Sequence, residues 1–451
     1  MAFTIVQLPG LTPTHSLLLL LAVTPILYFL YSVLYNLYLS PLAEFPGPKL
    51  WACSEFFYNR AVVSGIPHRK FLNFFEQYGP VVRITPTELI FSSAQAHRDV
   101  YGGTHAHRQL DGKKDYLAKD ERVYNNFGLE EDHMISTLDT NVHARQRRML
   151  ATAFSDKSVR EQEPMLIDHI DKLIASIEKY SVTECKDIDI KSWIDYTTFD
   201  ITGYLVFGES FHCLDDAVLH PWVAFMTTSV RAVVLMSVSF KLPGMQTLWP
   251  YLLPKRVTAA LEEHQALSLN RLEQRLAEGQ TTEKADLVGL LLKNGITQDT
   301  ERLIIAGSET SATLVTGALF FLLTHASAYA RLVDEIRTTF STTDSITALA
   351  ASDLPYLHAV IHESLRMYPP STSQFSRRTP RGGVIIDGYE VPGDTYVGVP
   401  HYAANRYSGN FRDANRWIPE RWIDGSDRFQ GDSREAMQPF GGGRHRCLGV
   451  K

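Results

Sequence analysis

The chain has 451 residues, 45% of them hydrophobic and 21% charged, with a formal net charge of −6. That length and composition suit a large, well-filled globular core, and the acidic balance excludes a general nucleic-acid binder, which is basic as a rule. The four cysteines, Cys53, Cys185, Cys213 and Cys447, include no close pair, which excludes both a disulfide scaffold and a C-x-x-C zinc site.

Residues 1–43 contain no Asp, Glu, Lys or Arg, and Glu44 is the first charge. Within them, SLLLLLAVTPILYFLYSVLYNLYLS (16–40) is long enough to cross a hydrocarbon core of roughly 30 Å as a helix. Pro25 is a site for a kink, which membrane helices tolerate, and Tyr28, Tyr31, Tyr35 and Tyr38 suit an interfacial aromatic belt. A secretory signal has a basic leading region and a shorter apolar core, so 1–43 reads as a retained anchor. Lys49, Arg60, Arg69 and Lys70 follow the span and nothing basic precedes it, which places the body in the cytosol. FPGPK (45–49) reads as a proline-rich hinge over 44–49, with a single domain over 50–451.

VVRITPTELIFSS (81–93) alternates like a strand pair turning at Thr85-Pro86. From about 140 to 340 the pattern is mainly helical. HARQRRML (143–150) puts His143 and Arg147 one turn apart, a basic face that is either solvated or an anion contact. HPWVAFMTTSVRAVVLMSVSFKLPGMQTLWPYLLP (220–254) is unusually apolar, but Arg231 and Lys241 leave too short a run to span a membrane. It is either buried core or a flap at a substrate entrance.

AGSETS (306–311) sits in the apolar run RLIIAGSETSATLVTGALFFLLTHA (302–326). Gly307 removes a side chain where a ligand would press on the helix, and Thr310 can bond back to a carbonyl one turn earlier. Glu309 is its chain neighbour, so the two side chains diverge. The alternative is a buried helix whose Ser and Thr merely satisfy the backbone. Further on, LPYLHAVIHESLRMYPP (354–370) is amphipathic and sets Glu363 and Arg366 three apart. FSRRTP (375–380) offers Arg377 beside Arg378, and GGVIIDGYEVPGDTYVGVP (382–400) reads as short strands broken by turns. The sum is a mainly α fold with small β-sheets.

FGGGRHRCLG (440–449) combines glycines, three basic side chains and one cysteine. A loop presenting one thiolate to the iron of a flat apolar cofactor must curl tightly, which Gly441, Gly442, Gly443 and Gly449 permit. Arg444, His445 and Arg446 would neutralise carboxylates on the cofactor's edge or present a positive face to a partner. Two alternatives stand beside this: a turn with a buried cysteine, and a Cys447–His445 nucleophile, although neighbours two apart rarely make a catalytic pair.

Taken together, these stretches resemble the cytochrome P450 monooxygenases, from the anchor to Gly449. Phe440, Gly443, Cys447 and Gly449 fall on the fixed positions of the haem signature F-x-x-G-x-R-x-C-x-G, with His445 where an arginine is usual. AGSETS resembles the oxygen-activation motif, in which Glu309 and Thr310 would manage protons. Glu363 and Arg366 match the E-x-x-R pair, completed by Arg421 of PERW (419–422) as a buried structural trio. His143 and Arg147 fall at the W-x-x-x-R position for haem propionates, and Arg377 is a further propionate candidate. The resemblance implies the cytochrome P450 fold behind an N-terminal transmembrane helix, with haem b held by Cys447 as axial iron ligand. It also implies insertion of one oxygen atom of O₂ into an apolar small molecule. Electrons would come from NADPH through a membrane-bound flavoprotein reductase, at the endoplasmic reticulum membrane and facing the cytosol. DITGYLVFGESF (200–211) resembles fungal members acting on terpenoid or polyketide metabolites.

Two departures set further expectations. Family chains continue past the haem loop with another helix, whereas this sequence stops at Lys451, so a truncated C-terminus and weak haem retention are expected. NGITQDTERLIIAGSE (294–309) also runs short before Gly307. The alternatives are a haem-thiolate isomerase or dehydratase working without a reductase, which the intact ETS disfavours, and an inactive truncated haem-binding protein.

Overall fold

A computed structural model describes residues 13–102, 116–124, 134–151, 153–220, 300–423 and 427–450, with 234–239 and positions 245, 248 and 251 between them. Most of the apolar 220–254 stretch and residues 294–299 lie outside the described residues, and with them the choice between core and entrance flap. Helix α1 (Pro13–Leu34) runs through Pro25 and continues as a π-helical turn over Tyr35–Leu39. Leu21–Leu39 is long and apolar enough to cross a membrane, and Tyr28, Tyr31 and Tyr38 stand exposed along it.

The proline-rich 44–49 segment packs against the body. Leu42 and Phe45 are buried in one apolar cluster with Val81, Leu89 and Phe91, and the Pro46 carbonyl accepts from the Arg83 amide at 2.8 Å. Helices α2 (Lys49–Cys53), α3 (Phe56–Val63) and α4 (Pro67–Tyr78) follow. Pro67 opens α4, where its missing N–H costs nothing, and Gly79 ends it at φ 96°. Between them Phe71, Phe74 and Phe75 share one buried face, as three- and four-residue spacing requires.

Strands β1 (Val81–Thr85) and β2 (Glu88–Phe91) pair antiparallel as expected, with Val82 opposite Ile90. Every residue of both is buried, and the period of two sorts them. Val81, Leu89 and Phe91 enter the cluster that also buries Leu42 and Phe45, while Val82, Ile84 and Ile90 enter the one built on Trp51 and the α4 phenylalanines. Beyond α5 (Ala94–Tyr101), the sheet gains β3 (Ala118–Lys119) and β4 (Arg377–Arg378). A small hairpin, β5 (Val384–Ile386) with β6 (Tyr389–Val391), stands apart, and β7 (Tyr396–Gly398) returns to run parallel to β2. The order is β1-β2-β7-β4-β3.

The larger helices are α6 (Thr140–Ala151), α7 (Asp156–Ile177), α8 (Ile190–Phe207), α9 (Thr300–Thr324), α10 (Ala326–Thr339), α11 (Pro355–Met367) and α12 (His401–Arg406). Helix α9 is also apolar enough to span a membrane by length and composition. It packs along α8 and α11, burying Ser308, Ala312 and Leu322 in one stripe.

Glu363 of α11 is fully buried and takes five donors: Arg366 Nε at 2.8 Å, Arg366 Nη2 at 2.7 Å, Arg421 Nε at 3.1 Å, Trp422 Nε1 at 2.9 Å and the Ile418 amide at 2.8 Å. Arg366 donates onward to the carbonyls of Asn405, Ala414 and Arg416, and Arg421 pairs with Asp432. Asp432 has no warning in any local pattern. The network pins α11 to the stretch leading into the cysteine loop, and satisfying so many lone pairs is what makes buried charge tolerable.

Candidate active site

The cysteine loop grows from a packed base. Phe440 lies against Leu365, Phe411, Ala414, Ala436 and Met437, and its carbonyl accepts from the Cys447 amide at 2.8 Å. That bond closes the loop into a small ring with the thiol at its outer end, and Cys447 is exposed. Gly443 adopts φ 61°, and a Cβ there would stand 2.1 Å from the Tyr101 carbonyl oxygen, so only glycine lets the loop press on the end of α5. At Gly449 a Cβ would lie 3.9 Å from Cys447 Sγ, an ordinary contact. Nothing in the chain itself demands glycine at that position.

Beside the thiol the fold gathers cations. The buried face of α6 carries His143, and Arg147 follows one turn on, close enough to Cys447 that a thiolate there favours its charged form against the burial that disfavours it. His143 Nε2 and His445 Nδ1 stand 3.1 Å apart, so one donates and the other accepts. Burial pushes His143 down to about 4, helped by the charges of Lys119, Arg147, Arg444 and Arg377. Burial and then Arg377, His143, Lys119 and Arg444 push His445 down to about 2. The charges acting on both rings are all positive. Such a cluster answers to a dianion, and the two propionates of haem fit that description.

Arg377 and Arg378 separate here. Arg377 is buried and donates to Tyr124 Oη at 3.3 Å and to the Ser376 carbonyl at 3.0 Å, while Arg378 turns outward to Glu121 and Asp394. Residues on one strand alternate sides, which sequence adjacency conceals. Lys119 is the residue sequence reasoning missed. It lies on the two-residue β3, far from every motif, and its Nζ donates to the carbonyls of Met134, Ile135 and Thr137 at 3.2, 2.9 and 3.0 Å.

On α9, Thr310 Oγ1 donates to the Ala306 carbonyl at 2.7 Å, and Glu309 and Thr310 both lie on exposed parts of the helix. No hydrogen bond or ion pair among the described residues joins either to the cysteine loop. The charge of Glu309 reaches Lys191 of α8, whose direct partner is Asp195. A Cβ at Gly307 would lie 3.5 Å from Thr202 of α8, an ordinary contact between the two helices.

Under the loop, His97 sits 3.6 Å from where a Gly442 Cβ would be, with its ring 6.2 Å from that of His401. Both Nε2 atoms are buried without a hydrogen-bond partner among the described residues. Burial pushes His97 to about 3, aided by His401 and Arg98, and burial alone holds His401 at about 4. An unfolded histidine takes up its proton near pH 6.5, so stability present above that value drains away as pH falls toward 4 and 3. Between pH 6.5 and 5 each ring should cost about 2 kcal/mol. Urea midpoints at pH 7.5 and pH 5 measure the loss, and His401→Phe should make the difference between them smaller.

A helical body carrying a thiol on a glycine loop, with basic side chains banked on one flank, is the arrangement of a haem-thiolate protein. The comparisons with known proteins agree. The family model for Cytochrome P450 matches residues 45–451, and the chain belongs to that family. It is 35% identical to the cytochrome P450 monooxygenase cpaH of Aspergillus oryzae, over 97% of this chain and 84% of that protein. It is likewise 35% identical to the cytochrome P450 monooxygenases efuB of Hormonema carpetanum, over 94% of this chain and 85% of that protein, and atr2 of Stereocaulon alpinum, over 94% and 83%. The protein is a haem-dependent monooxygenase, which implies a redox partner and a small-molecule substrate.

Proposed function

We propose that the protein hydroxylates an apolar terpenoid or polyketide metabolite, with electrons from NADPH delivered by a membrane-bound flavoprotein reductase. The observation that carries this reading is the exposed Cys447 flanked by Arg147, Arg377, His143, His445 and Lys119. When bound, haem b supplies the oxygen chemistry, sending one atom of O₂ to the product and the other to water for two electrons and two protons.

The chain's own residues do the rest. Cys447 would hold the haem iron as a thiolate, with Arg147 one turn of α6 beyond His143 beside it. Arg377 and Lys119 bind the propionates by charge. His445, kept neutral by burial and then by the cations around it, would offer a hydrogen bond where an arginine would have offered a charge. Phe440 and Gly443 shape the loop that would hold the ring. Glu363, Arg366 and Arg421 hold the base under the loop and touch no reacting atom. Glu309, exposed on α9, brings protons in from water. Thr310, its hydroxyl hydrogen committed to Ala306, offers oxygen lone pairs that orient that water. The substrate needs an apolar pocket that excludes bulk water, so that protons enter only by this route.

Arg83 supports reading α1 as a retained anchor, with the body at the cytosolic face of the endoplasmic reticulum. It donates to Asn36 and Ser40 at the end of the apolar helix, contacts that a leader destined for removal would not need. The test is turnover of apolar candidate substrates under ¹⁸O₂ with NADPH and a flavoprotein reductase, expecting one labelled oxygen per product. Thr310→Ala should keep the haem spectrum and NADPH consumption but divert most electrons to peroxide. Unlabelled product, or turnover without NADPH, would return the isomerase or dehydratase reading.

A further inference from the structure

Arg83 is 2% exposed and reaches from strand β1 to the end of the membrane helix. Its Nη1 donates to the Asn36 carbonyl at 2.7 Å and its Nη2 to Ser40 Oγ at 3.3 Å. The same guanidinium holds the hairpin turn, with Nε on the Thr85 carbonyl at 3.2 Å and Nη2 on the Pro86 carbonyl at 2.8 Å. From the other side, Asn36 Nδ2 donates to the Cys53 carbonyl at the end of α2, 3.2 Å away. Gly47 lies so close that a Cβ would stand 2.3 Å from the Arg83 carbonyl oxygen. A helix end tied to the hairpin and to α2 at once cannot swivel on the body.

What this fixing orients is the outer side of α2 and α3. Phe56 and Val63 are seven residues apart on one face of α3, 62% and 51% exposed, and Leu50 of α2 and Ile66 add 64% and 38%. The opposite side of α3 is spoken for, since Ala61, Phe57 and Tyr58 pack into the Trp51 cluster. Lys49, Arg60, Arg69 and Lys70, close to these residues in the chain, are all exposed, while Glu55 beside Phe56 is paired with Arg122. Exposed apolar side chains interleaved in sequence with basic ones suit the boundary between acyl chains and phosphates.

We propose that Arg83 clasps the membrane span to the catalytic body and so lays the Leu50, Phe56, Val63 and Ile66 face on the headgroup layer of the bilayer that α1 crosses, fixing the tilt of the body above it. This rests on reading α1 as a retained span. The lipid surface is the occupant because the face begins ten residues after the helix that enters it.

The full-length, haem-loaded protein in oriented bilayers of phosphatidylcholine and phosphatidylserine tests it. Polarised absorption of the haem band reports tilt, and alkaline carbonate extraction reports the span. The wild-type protein should resist extraction and show strong dichroism. Arg83→Met should still resist extraction but lose at least half of the dichroism. The surface pair Leu50→Glu with Phe56→Glu should do the same with the carbon monoxide spectrum unchanged, which keeps the test open if Arg83→Met fails to hold haem. Unaltered dichroism in the surface pair, or weak dichroism in a wild type that resists extraction, overturns the proposal. A wild type extracted by carbonate sinks the span itself, a different failure.

Discussion

Replacing Cys447 with histidine should abolish the strongly red-shifted Soret band of the reduced carbon monoxide complex and take monooxygenase turnover to background. The thiolate is the electron donor that favours O–O cleavage, and a neutral imidazole supplies no such push. Arg147 would also lose the negative neighbour that favours its charge. The loop should survive, because its closure runs through the Cys447 amide to Phe440 and not through sulfur. Haem content measured beside the spectrum separates the two effects. A variant that keeps the red-shifted band would assign the ligand to another residue.

Replacing Glu363 with alanine should be the most damaging change away from the haem. It leaves the buried Arg366 without its carboxylate and strips Arg421 of one of two, while the Trp422 indole and Ile418 amide lose their acceptor. Breaking a buried pair from one side costs about 3–5 kcal/mol, against a total stability of about 5–15 kcal/mol for a typical protein. Poor yield of haem-loaded protein and a large fall in urea midpoint are expected, with Glu363→Gln milder because it still accepts hydrogen bonds. A midpoint within experimental error of wild type would show that the network is not what holds α11 to the loop.

Much of this was legible along the chain because the signals are local. A span without charge, alternation about Thr85-Pro86, glycines around one cysteine, and Glu363 with Arg366 on one helix turn are all properties of a few consecutive residues. Their spacing follows from helix and strand periods. Thr310 belongs here too, since a back-bond to Ala306 needs only its own helix.

Other features depend on which distant segments meet. Lys119 comes near His143 and His445 because β3 lies at one edge of the sheet beside β4, and no motif surrounds it. Arg377 turns toward the histidines while Arg378 turns to Asp394, a choice made by the strand's two faces. Asp432 joins the Glu363 network across the fold, and Gly307 meets Thr202 because α9 lies on α8. The proline-rich 44–49 segment has the composition of a stiff spacer, and that it also packs on the body depends on Phe45 finding the β1–β2 cluster. By itself the sequence determined the apolar N-terminal helix and the cysteine loop, which local composition encodes, and it pointed to the class of protein through the resemblance of its ordered motifs to a known family. Only the tertiary structure decided which cations surround the thiol, how its base is braced and how the end of the apolar helix is tied to the body, because those depend on burial and on partners far apart in the chain.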